Sequence, residues 1–397
     1  MPDAVIVAAT RSPIGRAFKG SMTGLRGDDL TAQIVRAAFA HIPEFDPHTL
    51  DDFIVGCGLP GGEQGFNIGR VVPVLLGLDE VPGVTVSRYC ASSLQSTRMA
   101  AHAIWAGEAQ AIVSAGVELV SRISATNPDD PALRNPTLLS GRKPTEPWSD
   151  PRARGLVPDL FTDMGTTAEN VASLHGVSRA EQDEFACRSQ QLAEQARLNG
   201  FWERDITPIT LPDGSVLRAD ECPRPTTTLA GLANLQPVFR ENGTVTAGNA
   251  CGLSDGAAAL VIMSAARAAE LGLTPLARIL STAASALSPE IMGLGPVEAS
   301  RRALALAGLS TSDIDQVEIN EAFAAQVIPS YRELGFEIDR VNVNGGAIAI
   351  GHPYGMSGAR ITTTLIHSLQ ARDQQFGLEA MCIAGGMGMA MVIERLS

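Results

Sequence analysis

Short runs rich in valine, isoleucine and alanine punctuate the chain, and longer segments with helical periodicity separate them. Residues 4–8 read as a buried strand, and Arg11-Ser12-Pro13-Ile14-Gly15 as the turn that follows it. An alanine-rich helix is predicted over 30–40, a strand over 53–55, and another over 84–86 that leads into Cys90. A helix then runs over 92–105 and stops at Gly107, and the apolar run 111–116 is the next strand. Strands alternating with helices place the chain in the α/β class.

Between residues 121 and 243 the pattern changes. Pro128, Pro131, Pro136, Pro144, Pro147, Pro151 and Pro158 interrupt it, and two polar helices are predicted over 166–174 and 179–198. The segment reads as an insertion, after which 244–248 and 257–263 are expected to pair and resume the interrupted sheet. The second half then repeats the first in outline. A helix (296–307) precedes a strand (316–319), as 30–40 precedes 53–55. A strand (340–343) precedes a turn and the helix 357–369, as 84–86 precedes Cys90 and its helix. Residues 381–386 take the place of 112–116, a strand ending in glycine. An internal duplication of one α/β unit follows. Residues 1–120 and 244–272 form its first half, 121–243 an inserted loop domain, and 273–397 its second half.

Composition narrows the class. Hydrophobic residues make up 45% of the 397 and charged residues 18%, which excludes a charge-rich disordered chain and allows a large core. A net charge of −13 argues against nucleic-acid binding, and a polyanionic cofactor would need a local cluster of arginines or lysines. No apolar run approaches the roughly 20 residues of a membrane span. No secretory signal is visible either, so a cytoplasmic protein without a membrane partner is expected. Cys57, Cys90, Cys187, Cys222, Cys251 and Cys382 lie at wide, irregular spacing, which predicts neither a disulfide framework nor a metal site.

Two of these cysteines stand apart. Cys90 falls between a strand and a helix, where unpaired N–H groups and the helix dipole favour an anion. A reactive, low-pKa thiolate is therefore expected, alkylated ahead of Cys57, Cys187 and Cys222. The alternative is a cysteine packed under the helix. Cys382 precedes Ile383-Ala384-Gly385-Gly386-Met387-Gly388, whose glycines free backbone N–H groups beside a second thiol able to act as acid or base. His352, between Gly351 and Pro353, sits in a tight loop and suits a general base, whereas His102 and His367 fall inside helices and are structural. Asn320-Glu321-Ala322-Phe323, at a strand-to-helix junction, offers an amide in the same layer.

These four segments together resemble the thiolase family. The pattern is Cys90-Ala91-Ser92-Ser93, Asn320-Glu321-Ala322-Phe323, the Gly-His-Pro run from Gly351 to Arg360, and Cys382 with its glycine-rich turn. Further likeness lies at residues 9–15, 164–172 and 243–250. The resemblance implies a duplicated five-layered α-β-α-β-α core with an inserted loop domain that holds coenzyme A. It also implies roles. Cys90 attacks the carbonyl, His352 activates it, and Cys382 moves the proton of the second half-reaction. Asn320 holds the water that, with His352, forms one oxyanion site, and the N–H groups of Cys90 and Ala384 form the other. Arg224, Met164, Phe239, Ala250, Cys251, Ala322 and Phe323 are the implied coenzyme A contacts. Coenzyme A is then a substrate rather than a permanently bound cofactor, and acyl-CoA is the other partner. A homodimer or homotetramer is expected.

The chain departs from the family pattern at Ser87 (asparagine is common), Cys251 (serine), Ala384 (glycine) and Asp163 (histidine in short-chain members). The last is expected to open room beside Met164 and favour longer chains, the alternative being an aspartate that points to solvent or pairs with an arginine. The implied reaction is cleavage of 3-oxoacyl-CoA by coenzyme A. The alternatives are condensation of two acetyl-CoA molecules, and a non-catalytic acyl-CoA or lipid carrier, which has no need of all of Cys90, His352 and Cys382. The related ketoacyl synthases pair two histidines with their cysteine, and Cys382 argues against them.

Overall fold

β1 (Ala4–Arg11) is buried along its length because its two faces meet different cores. Ala4 and Ile6 belong to the apolar layer at the centre of the molecule, Val5 and Val7 to one on its flank. This computed structural model describes residues 2–126, 134–138 and 148–397; Pro128, Pro131, Pro144 and Pro147 of the insertion lie outside the described residues.

β2 (Asp52–Cys57), β3 (Gly83–Val86), β4 (Ala111–Leu119) and β5 (Ser254–Ser264) join β1 in the order β3-β2-β4-β5-β1. β6 (Ala277–Ala286), β7 (Gln316–Ile319), β8 (Phe376–Ile383) and β9 (Met387–Arg395) follow the order β7-β8-β9-β6, and β6 meets β1 at Val5 and Ile6. The two halves trace the same path. The place of β3 is taken in the second half by Val341, which makes a single parallel bridge to Val317.

The strand expected over 340–343 is thus reduced to one residue. Asn342 turns into the left-handed region (φ +48°), and its side chain bonds the N–H and C=O of Ile319 at 2.8 and 2.9 Å. The strand expected over 244–248 is likewise reduced, to a single antiparallel bridge of Thr246 to Pro237. Glu169 accepts the N–H groups of Thr244 and Val245 (both 2.8 Å) and Asn249 that of Thr246 (2.8 Å), so side chains occupy the donors a ladder would use. β5 pairs with β4 and β1 instead. Arg11 is no turn residue: it ends β1, fully buried, with its guanidinium on Asp205 and Asp220.

α1 (Gly27–Ala40) covers the outer face of the first sheet and packs on α2 (Ile68–Leu75). α3 (Ser92–Ala106) and α8 (Ser357–Ala371) pack on each other between the sheets, and α6 (Gly295–Ala307) covers the outer face of the second. Helix, sheet, helix pair, sheet and helix make five layers. α4 (Met164–His175) and α5 (Arg179–Leu198) of the insertion lie against α7 (Ala324–Leu334). Ala168, Val177 and Phe185 share one apolar cluster with Leu378 and Ala380 of β8, so α4, read as polar, is largely buried. Among the described residues no helix is long and apolar enough to cross a membrane.

Candidate active site

Glycines bring the nucleophile turn against the ends of the first sheet. A Cβ on Gly56, in β2, would lie 2.3 Å from the backbone of Ser92 and Ser93, and one on Gly116, in β4, 2.4 Å from Ser93 Cβ. Tyr89 takes φ +45°, uncommon for a side-chain-bearing residue, and Ser92 holds the bend. Its Oγ accepts from Arg88 N–H at 2.9 Å and donates to Tyr89 C=O at 2.6 Å. Cys90 lies in the 3-10 turn Tyr89–Ala91 rather than in α3 itself.

The expected thiolate is not the resting form. Burial pushes the Cys90 thiol up to about 12; the N–H groups of Ala384 and of Cys90 itself oppose the rise, and the charge of Glu118 adds to it. The macrodipole is outweighed because desolvating a sulfur anion costs more than one turn of helix returns. Reactivity must therefore come from a base.

His352 has the protonation state such a base requires. Burial, then the charge of Arg360, lowers its pKa to about 3, so the imidazole is neutral at physiological pH. Ser357 fixes its orientation. Ser357 Oγ donates to Pro353 C=O at 2.8 Å and so meets His352 Nδ1, 2.5 Å away, as an acceptor. That places the ring proton on Nδ1 and leaves the Nε2 lone pair facing Asn320 Nδ2 at 3.2 Å. Asn320 is itself held by Gln326, whose Nε2 donates to its C=O at 3.0 Å. Gly351 (φ +103°) permits the turn, because a Cβ there would come within 2.5 Å of Ser254 Oγ.

Cys382 ends β8 in full burial, and its thiol is pushed well above its usual range by desolvation and by the proximity of Cys90 and Cys251. Cys251 is likewise pushed up to about 12, by burial and then by Cys90. Three thiols from separate parts of the chain are thus near enough to influence one another's ionisation. Burial, then the proximity of Cys251 and Cys90, pushes the Tyr354 hydroxyl up, and its ring lies edge-on to His352 at 5.3 Å, which links the histidine turn to the same thiols.

Most of the expected coenzyme A contacts also converge. Ala250 bridges Phe323, Cys251 N–H bonds Ala322 C=O at 3.1 Å, and Phe239 packs edge-on to Phe323 at 6.1 Å. Gly165, next to Met164, lies so close to the Phe239 ring that a Cβ would clash at 2.1 Å. Arg224 is exposed, with its backbone N–H on Gln190. Asp163 takes the solvent-facing alternative. It is exposed and caps α4, its carboxylate accepting Thr166 N–H at 2.8 Å, so a short acid here serves the helix terminus. Sequence reading missed Glu118, Ser254, Gln326, Tyr354 and Ser357. Only Ser357 and Tyr354 carried a local signal, within the Gly-His-Pro run.

Residues 4–266 match the family described as thiolase, N-terminal domain, and residues 273–395 that described as thiolase, C-terminal domain. The 3-ketoacyl-CoA thiolase of Bacillus subtilis is 42% identical over 99% of this chain and all of its own length. That of Serratia proteamaculans is 45% identical with both chains fully covered. Human mitochondrial 3-ketoacyl-CoA thiolase in complex with CoA superposes with a TM-score of 0.86 at 36% identity, covering 100% of this chain and 98% of that one. The acetyl-CoA acetyltransferase of Bacillus anthracis gives 0.87 at 36% identity, covering 100% and 99%.

Proposed function

Because the chain belongs to the thiolase family, we propose that it cleaves 3-oxoacyl-CoA with coenzyme A to acetyl-CoA and an acyl-CoA two carbons shorter. The Cys90 thiol at the Ala384 N–H, the Cys382 thiol near enough to influence its ionisation, and a neutral, oriented imidazole that Tyr354 links to the same thiols carry this reading. His352 Nε2 takes the Cys90 proton as the sulfur attacks the 3-keto carbon, whose oxygen turns to the N–H groups of Cys90 and Ala384. The C2–C3 bond breaks, the acyl group stays on Cys90, and the electron pair moves to C2 of the departing acetyl-CoA. Its thioester oxygen is held by protonated His352 and a water on Asn320, and the Cys382 thiol protonates C2. Coenzyme A then gives its thiol proton to Cys382 and attacks the acyl carbon. The released Cys90 sulfur recovers its proton from His352.

Incubation of a chain-length series of 3-oxoacyl-CoA thioesters with coenzyme A tests this. Acetyl-CoA and the shortened product are expected, with higher kcat/KM for a medium-chain substrate than for acetoacetyl-CoA. The names of the relatives support this, as does Leu160, whose side chain lies near Gly385 and Tyr89 beside the nucleophile; each buried methylene contributes about 0.8 kcal/mol. A preference for acetoacetyl-CoA would favour the acetyl-transferring reading, and no thiolysis with any substrate would leave the carrier.

The insertion, 121–243, holds coenzyme A in this reading, with Met164, Phe239, Ala250, Cys251, Ala322 and Phe323 along its pantetheine and Arg224 at a phosphate. Arg224→Ala is expected to raise KM for coenzyme A about tenfold, equivalent to about 1.4 kcal/mol, while kcat changes little. Initial-rate kinetics at two salt concentrations check it, and an unchanged KM would remove Arg224 from the site. Self-association is part of the same reading. β3 ends the sheet half-buried, with Phe66 (84% exposed) and Val74 (50%) nearby in the chain, an edge that a second copy would cover. The bacterial relatives support a cytoplasmic place of action.

A further inference from the structure

Glu118 stands near the end of β4, wholly buried. Its Oε2 accepts the N–H groups of Gly58 (2.7 Å) and Gly355 (2.8 Å), and its Oε1 that of Leu59 (3.2 Å), with the Cys57 thiol at 3.8 Å. Gly58 and Leu59 follow β2; Gly355 belongs to the turn that begins at His352. The loop after β2 also receives the nucleophile segment, since Ser87 Oγ donates to Gly58 C=O at 2.9 Å. No side chain fits at Gly58, where a Cβ would lie 2.7 Å from Glu118 Oε2, 2.9 Å from Tyr354 Cβ and 3.0 Å from Tyr89 C=O. At Gly355 it would meet Val117 C=O at 2.3 Å. One carboxylate therefore joins three segments whose backbones touch: the end of the first sheet, the approach to Cys90, and the histidine turn of the second half.

We propose that Glu118 is a positioning residue for the reaction, clamping the histidine turn to the loop beside Cys90. This rests on the thiolase reading. Three N–H donors fix the carboxylate but do not neutralise it, and a buried charge so placed acts strongly on its neighbours. The titratable groups that face it are Cys57 from β2, Cys90 from the nucleophile turn and Tyr354 from the histidine turn; burial pushes each toward the neutral form and the Glu118 charge adds to that. Burial, against those N–H bonds, raises the Glu118 carboxyl itself to about 7, so the clamp gains its full charge only as the pH rises through neutrality.

Two variants of the full-length enzyme separate charge from reach. Glu118→Gln keeps the size, removes the charge and turns an N–H₂ toward backbone donors. Glu118→Asp keeps the charge but withdraws it by one methylene. Both are expected to lower kcat for thiolysis by about 100-fold through displacement of the catalytic turn, with KM for coenzyme A little changed. The pH dependence of Cys90 alkylation by iodoacetamide, followed by peptide mapping, should differ between them. The Gln variant should shift the profile toward lower pH by roughly one unit or more, and the Asp variant should not. A residue that only supports the fold would move both profiles alike or neither. Wild-type kcat in the Gln variant, or identical alkylation profiles in the two variants, would overturn the proposal. Should the Gln variant not fold, the Asp variant decides alone: wild-type kcat in it, or a KM for coenzyme A that rises as kcat falls, sinks the clamp. Alkylation needs no acyl-CoA, so absence of thiolysis in the wild-type enzyme would refute the thiolase reading separately.

Discussion

Replacement of His352 by alanine is expected to slow acylation of Cys90 on the order of 10³-fold, with binding of coenzyme A nearly unchanged. The size follows from the protonation states. A thiol pushed up to about 12 is ionised in roughly one molecule in 10⁵ at pH 7, so attack must be coupled to proton transfer. In the proposed reaction His352 suits that transfer because Ser357 accepts the hydrogen bond of its Nδ1–H and leaves the Nε2 lone pair to take a proton. Single-turnover acylation from acetyl-CoA, read by mass spectrometry, measures the effect, and alkylation of Cys90 should fall in parallel. Acylation within about tenfold of wild type would show that another group serves as base. The pH profile gives an independent check. The histidine pKa is lowered, so the neutral base is present above about 3 and lost only below it. The loss of rate due to His352 should therefore lie far to the acid side of the usual 6.5.

Cys382→Ser should give the complementary result. Its thiol is held neutral by burial and by the neighbouring sulfurs of Cys90 and Cys251, the form required to protonate C2 of departing acetyl-CoA. A serine hydroxyl is a far weaker acid. Thiolysis is expected to fall by about 10³-fold while acylation from acetyl-CoA stays within about tenfold of wild type. Exchange of acetyl-CoA methyl protons with deuterium oxide isolates the step and should fall with thiolysis. If the serine variant lost acylation as badly as His352→Ala, the division of labour between the two residues would be wrong.

The coarse plan of the molecule was legible before any coordinates. Short continuous runs rich in valine, isoleucine and alanine marked most strands of the first half. Gly107, at φ +77°, ended α3 where expected, and α5 spans the predicted residues. The duplicated path β3-β2-β4-β5-β1 and β7-β8-β9-β6 agrees with the repeat seen along the chain. The two misread strands share one cause. At 244–248 and 340–343 the apolar pattern suited a strand, but Glu169, Asn249 and Asn342 supply the hydrogen bonds that a neighbouring strand would have given. Pattern reports which face is apolar; it does not report which donors are already taken.

By itself, then, the sequence determined the α/β class, the duplication and the segments that bear Cys90, Asn320, His352 and Cys382, because each is written in local composition and spacing. Tertiary structure alone decided how those groups ionise and what holds them. Cys90 is a thiol and not a thiolate because burial exceeds the pull of the helix terminus. Asp163 became a helix cap. Glu118 became a buried clamp through bonds to Gly58, Leu59 and Gly355, the last 237 residues away. Desolvation and long-range hydrogen bonding depend on what surrounds a group in space, and no spacing along the chain records that.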